Sequence, residues 1–222
     1  MFLKRVCLIA VILAVTSAAP SRLFRRVPMW YLPCGQFEYE DMNSLEESEE
    51  EISTRLDRIK VQYRLTLNNY LEQNYGSLYK KVRIGVLDHQ YIPNWVPDRV
   101  DANTVRKLND SSPQTIIDHF PQLHMNLQKF AVAFEQLIED ETEVERKHAL
   151  KSTQKSLRNM LCEVESNINA ISFIQLLGRV ERNIMNDIER NPVDETRRLI
   201  RDWGVVLKYR DYLDAWRYVF KF

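Results

Sequence analysis

Glu145 and His148 stand three residues apart, the Glu-x-x-His spacing that puts both side chains on one helical face. Di-iron carboxylate bundles hold metal with that unit, but they need a second pair and two further inward-facing glutamates. The chain has no second Glu-x-x-His. His119 and His124 are five apart, which is not the i, i+4 pair of a His-Glu-x-x-His zinc site, and both read as ordinary surface or groove histidines. Glu145 has a simpler use, as the partner of Thr142 in a helix capping box. There is no Gly-x-Ser-x-Gly nucleophile turn and no glycine loop fit to cradle a phosphate. The residues therefore offer no catalytic group, no metal site and no cofactor site.

Cysteine chemistry depends on compartment. Lys4 and Arg5, an apolar run from Val6 to Val15, and small residues at Ser17, Ala18 and Ala19 lay out a secretory signal peptide over residues 1–19. The apolar run is too short to span a bilayer, so no stable membrane insertion is expected. Cys7 leaves with that segment, and Cys34 and Cys162 remain. In an oxidising compartment they most simply form one disulfide, and the alternative is a free Cys34 with a buried Cys162 thiol. Two further marks suit an exported chain. Asn109-Asp110-Ser111 is an N-glycosylation sequon, and the basic run at 22–26 has the Arg-x-x-Arg form of a processing site, although a plain basic tail is the simpler reading.

The elements that carry these residues follow from composition and spacing. In 222 residues there are 31 basic and 31 acidic side chains, no long basic cluster, and only five glycines. Balanced charge argues against a nucleic-acid partner. Scarce glycine argues against the many tight turns of a sheet protein. The eight prolines divide the chain into long intervals with helical periodicity. Four long helices are predicted, at about 44–81, 113–141, 143–178 and 192–221, in a single domain over 20–222. The first opens on Ser44 and Glu47 and buries Ile52, Leu56, Ile59, Tyr63, Leu67 and Tyr70. The stretch from Val82 to Ser112 shows no periodicity and reads as a long loop. Gly178 reads as the stop of the third helix, and Asn191 with Pro192 as the cap of the fourth. A tight second turn makes helices two and three antiparallel. A thirty-residue first connection is needed only if it crosses the bundle length and starts helix two parallel to helix one. The fold expected is all-α, a long-chain four-helix bundle running up-up-down-down with long crossover connections.

The segment LHMNLQKFAVAFEQLIED at 123–140 resembles the second helix of the ciliary neurotrophic factor and cardiotrophin branch of long-chain helical cytokines. The final helix, DWGVVLKYRDYLDAWRYVF, is similar to their fourth, with Trp203 and Gly204 ahead of a Val-Leu pair and further aromatics. Invertebrate helical cytokines of the Unpaired or helical-factor kind are the nearer analogy for an arthropod chain. The resemblance implies a secreted, monomeric ligand that gathers cell-surface cytokine receptor chains and signals through JAK kinases and STAT factors. Vertebrate relatives begin the fourth helix with a Phe-x-x-Lys receptor motif. Alignment on Trp203 puts Arg198 at the Phe position and Arg201 at the Lys position, so the charge is kept and the aromatic is not.

On a helical wheel the last helix is apolar on two faces. Leu199, Val206, Tyr209, Leu213, Trp216 and Phe220 form one face, and Ile200, Leu207 and Tyr218 lie nearly opposite. Either the first crossover covers the second face, or Trp203, Leu207, Arg210 and Arg217 make a receptor contact there. Arg58 and Gln62 are the candidates on the first helix. The rival function is a secreted amphipathic-helix lipid carrier of the exchangeable-apolipoprotein kind, which a disulfide and four tryptophans argue against.

Overall fold

The computed structural model describes residues 27–35, 49–82, 91–171 and 173–221. The expected signal peptide, the basic run at 22–26 and the Ser44 cap lie outside them. Regular structure among the described residues is helical throughout. The elements are α1 (Glu49–Glu72), α2 (Tyr75–Leu78), α3 (Arg99–Arg106), α4 (Pro113–Asp118), α5 (Phe120–Asp140), α6 (Val144–Ala170), a 3₁₀ turn (Arg182–Ile184), α7 (Asp187–Arg190) and α8 (Glu195–Phe220). The four long helices α1, α5, α6 and α8 form the bundle.

Side-chain pairings set the topology. Tyr63 donates to the Leu213 carbonyl and Tyr70 to that of Val206, so α1 and α8 run antiparallel. Asn69 meets Ser152 while Arg58 meets Glu163, so α1 and α6 are antiparallel too. Asn126 reaches Tyr212 and Phe134 packs on Tyr209, which makes α5 antiparallel to α8. His124 lies against Glu165, and only three residues separate the end of α5 from the start of α6, so these two are antiparallel as well. Helices α1 and α5 are thus parallel to each other, as are α6 and α8, and the bundle runs up-up-down-down.

Four details differ from the pattern read along the chain. The first helix breaks at Asn74, which takes a left-handed backbone (φ 48) and separates α1 from α2. Asparagine tolerates that conformation, and a residue in it ends a helix. The stretch read as a loop contains α3, capped reciprocally by Asp98 and Asp101, and the second long helix is split so that α4 precedes α5. The third helix ends at Ala170, well before Gly178, and Glu143 caps it in place of Thr142. Gly178 uses its positive φ of 104 in the connection instead. Asp194 caps α8, and the residues ahead of it form α7 with an Asn186/Glu189 capping box.

Both crossovers are structural layers. Along the first, Lys208 of α8 donates to the Pro93 carbonyl at 2.7 Å, Arg197 stacks over Tyr91, and Ile92 lies directly on Gly204. The second, from Ile171 to α7, is held by charge. Arg179 makes two bonds of 2.6 Å to Glu165, and Arg182 reaches Glu135 at 2.7 Å. Trp30 of the N-terminal segment is fully buried there, donating to the Val180 carbonyl at 2.8 Å. The Cys34–Cys162 disulfide fastens the same segment to α6. The pairing expected from the sequence is formed.

Two outcomes follow from these contacts. A methyl group at Gly204 would lie 2.5–2.8 Å from three atoms of the Ile92 side chain, so Gly204→Ala must displace it. A loss of about 1–3 kcal/mol in denaturant unfolding is expected, partly recovered by adding Ile92→Ala. Burial raises the Glu165 carboxyl, but the hydrogen bonds from Arg179 and His124 and the charge of Arg179 overcome it and hold the pKa at about 2. A depressed carboxyl stabilises the fold above its ordinary pKa and loses that effect as pH falls. Glu165→Gln is expected to be less stable than the parent at pH 7. The gap should close between about pH 4.5 and pH 2, followed as unfolding midpoints against pH.

Candidate functional site

The residues singled out on the last helix separate into two groups. Arg201 and Asp202 are both wholly buried, with Arg201 Nη2 2.7 Å from Asp202 Oδ1 and 2.9 Å from Asp140 Oδ2. Arg201 Nη1 also donates to the Glu189 carbonyl at 2.8 Å. Arg198 lies 3.3 Å from Glu141 and 3.5 Å from Asp202. Glu141 accepts from the Thr142 and Glu143 amides and from Arg146 at 2.8 Å. Burial opposes its ionisation, but Arg146, the Glu143 amide and Arg198 keep its carboxyl below the ordinary range. Complete burial pushes the Asp202 carboxyl up to about 6 against the pull of Arg201 and Arg198. This network ties the α5–α6 turn to the first turns of α8. Arg201 is therefore an internal anchor and Arg198, 14% exposed, is turned mostly inward, so the positions aligned with the vertebrate receptor motif offer little surface. Helical periodicity could not reveal this, because Asp140 and Glu141, which meet the two arginines beside Asp202, come from the end of α5 and the turn after it.

The second group does reach a surface. Trp203, Leu207 and Arg210 line a groove of about 460 Å³ together with Tyr70, Leu71 and Asn74. Trp203 forms its floor, buried and stacked on Tyr79 at 5.8 Å. Leu71 on the rim is 56% exposed, and Arg210 is half open to solvent beside Asp211. The break at Asn74 opens this groove, since a continuous α1 would carry a helical wall past α8. The apolar second face of α8 thus has two fates. The first crossover covers it at Ile92 and Pro93, and the groove leaves Leu207 at an open edge.

Arg58 and Gln62 share a second groove, of about 490 Å³, with Thr54, Asp57, Val61 and Glu163. Arg58 is largely exposed and 3.4 Å from Glu163 of α6, while Gln62 donates to Thr66 at 3.3 Å. Val61 and Leu65 point outward one turn apart, 51% and 56% exposed. Both lie off the core stripe, and two apolar residues at i, i+4 off that stripe are a readable signal in the sequence. By helical rise Arg58 of the one groove and Tyr70 of the other lie roughly 18 Å apart along α1. Arg217 belongs to neither; it sits near the end of α8, 3.5 Å from Asp214 and over the Tyr218 ring. Asn109 is exposed in the turn after α3, beside Asp110, which pairs with Lys221 at 2.9 Å.

Glu145 and His148 are exposed near the start of α6, and no group of three or more His, Cys, Asp or Glu able to hold a metal occurs among the described residues. His119 bonds the Thr115 carbonyl at 2.9 Å. His124 differs from the expected surface or groove histidine: it is fully buried between α5 and α6. No helix among the described residues is long and apolar enough to cross a membrane.

The family model described as the Unpaired protein matches residues 17–197, well over half of the chain. No curated protein matches it, and no solved structure does. The match supports the invertebrate half of the cytokine resemblance and not its ciliary neurotrophic factor and cardiotrophin half.

The two groups of arginines should separate in stability measurements. Arg201→Ala leaves Asp202 buried without its main partner and is expected to cost about 3–5 kcal/mol. Arg58→Ala and Arg210→Ala should stay within about 0.5 kcal/mol of the parent. Denaturant unfolding of the three variants checks both.

Proposed function

The chain belongs to the Unpaired family, and from that premise we propose that it is a ligand that gathers cell-surface cytokine receptor chains, one at each groove. Unpaired proteins are secreted ligands of the JAK/STAT pathway, a signalling family and not an enzymatic one. The observation that carries the receptor reading is the pair of open grooves on different helix pairs. One joins α1 to α6, and the other joins the α1–α2 break to α8. Each offers exposed aliphatic surface beside an arginine, the mixture in which a few buried contacts dominate binding. Separate faces let a monomeric ligand hold two receptor chains at once. Arg58, Gln62, Val61 and Leu65 make the first contact, and Leu71, Leu207 and Arg210 the second, with Trp203 as a rigid floor. Arg217 and Tyr218 extend the second face toward the end of α8. Asn109, exposed at that end of the molecule, is offered for N-glycosylation during secretion.

The rival lipid carrier requires helices that separate and lay their apolar faces on a lipid surface. The disulfide between the N-terminal segment and α6 opposes that opening, as does the Arg201–Asp140 pair that joins α8 to the end of α5.

The test is STAT tyrosine phosphorylation within minutes of adding purified protein to responsive cells, with heat-denatured protein as the control. Val61→Glu and Arg210→Glu are each expected to raise the half-maximal dose at least tenfold, about 1.4 kcal/mol of binding, while leaving the circular dichroism spectrum intact. Silence of the native protein overturns the reading, as does full activity of both folded variants.

A further inference from the structure

His124 and Gln128 stand one turn apart on α5, both buried under the α6–α7 connection. The Val180 amide donates to Gln128 Oε1 at 3.1 Å, and Gln128 Nε2 donates to the Gly178 carbonyl at 3.0 Å. A backbone N–H can only donate and a carbonyl can only accept, so these two bonds fix which end of the Gln128 amide is which. The other hydrogen on Nε2 faces His124 Nδ1, 3.2 Å away. Nδ1 must then be the acceptor, which leaves the ring proton on Nε2, 3.0 Å from Glu165 Oε2. The bonds to the connection thus set Nδ1 as the acceptor and place the ring hydrogen on Nε2.

We propose that this pair is an acid-operated latch on the α6–α7 connection. A proton arriving at Nδ1 sets one N–H against another. Gln128 can relieve the clash only by turning its amide so that Oε1 meets the new N–H. That turn presents Nε2 to the Val180 N–H and Oε1 to the Gly178 carbonyl, so both bonds to the connection are lost. A protonated His124 and a fastened 178–180 segment exclude each other. Two charged groups face the ring: Glu165 from α6, which favours the imidazolium, and Arg179 from the connection, whose Nη1 lies 3.5 Å from Nε2 and disfavours it. The N-terminal segment approaches through Trp30, whose carbonyl accepts from Arg179 at 3.2 Å. Trp30 also donates to the Val180 carbonyl, so release of Val180 loosens the N-terminal segment as well. Imidazoles as a class change charge between about pH 5 and 8. A ligand carried from neutral fluid into an acidified vesicle crosses that range. The latch acts on the connection and is independent of the two grooves, so it stands or falls apart from the receptor reading.

The experiment is amide exchange of the secreted protein by NMR at pH 7.5 and 5.5, corrected for the intrinsic pH dependence. The comparison is His124→Gln, whose amide can accept from Gln128 and donate to Glu165 but takes up no proton. Protection at Val180 is expected to fall at least tenfold in the parent and less than twofold in H124Q, with the α8 amides of Val206 and Tyr209 protected throughout. Equal protection of the parent at both pH values overturns the latch. So does parallel loss in H124Q, or loss that includes α8. Should H124Q fail to fold, the ring nitrogen shifts of His124 in the parent decide the matter. A ring unprotonated at Nδ1 at pH 7.5, whose protonation tracks the opening at Val180, supports the latch, and any other course overturns it.

Discussion

Helix α8 is apolar on two faces, and an exposed face of that kind is unstable in water. One face meets α1 and α5 through Tyr209 and Tyr212, both buried, which pack on Tyr70 and Phe130. The other needs a cover that the four-helix bundle cannot supply, and the first crossover provides it over part of its length, leaving Leu207 at the groove. Ile92 lies on Gly204, Pro93 accepts from Lys208, and Arg106 of α3 stacks over Tyr218. A connection that had to cross the bundle length for reasons of topology thereby becomes part of the core. The Trp-Gly pair at 203–204 fits the same need, since tryptophan fills the space beside Tyr79 and glycine admits the crossover.

The second crossover solves a different problem. An extended segment has backbone groups without helical partners, and burying them unpaired is costly. Here Gln128 and Trp30 supply those partners at Gly178 and Val180, while Arg179 and Arg182 fasten the segment through Glu165 and Glu135. The α5–α6 turn is likewise joined to α8 by the Glu141, Arg198, Arg201 and Asp202 network. Ion pairs of this burial are a modest source of net stability but a strong source of specificity, because each partner is costly when left alone. They account for why several charged residues on α8 face inward. Function is left to the grooves, where the helices diverge or end.

Much of the fold was legible along the chain. Proline spacing and three-four periodicity separated the long helices, and connection lengths gave the up-up-down-down order that the antiparallel pairings display. The Cys34–Cys162 pair followed from counting cysteines in an exported chain. Short elements were not legible. Helix α3 is eight residues long and its capping box uses Asp101 where glutamate is the usual partner, so periodicity had too little length to speak. The break at Asn74 was hidden because Leu78 stands three turns beyond Leu67 on the same helical phase.

The candidate surface divides along the same line. Amino-acid type and local spacing are properties of the chain itself, so periodicity alone places Arg58, Gln62, Leu207 and Arg210 on outward helix positions. Burial of a charge is not a local property. Arg201 and Arg198 read as exposed arginines on a wheel, and only tertiary packing brings Asp140 and Glu141 to them from α5 and the turn that follows it. The same holds for His124: its neighbour Gln128 is one turn away, but Gln128 is oriented by Val180 and Gly178, about fifty residues distant. Sequence by itself determined the helices, their order and the disulfide, because those depend on near neighbours and on chain length. Tertiary structure decided which charged residues are internal, because the cost of desolvating a charge depends on partners supplied from elsewhere in the fold.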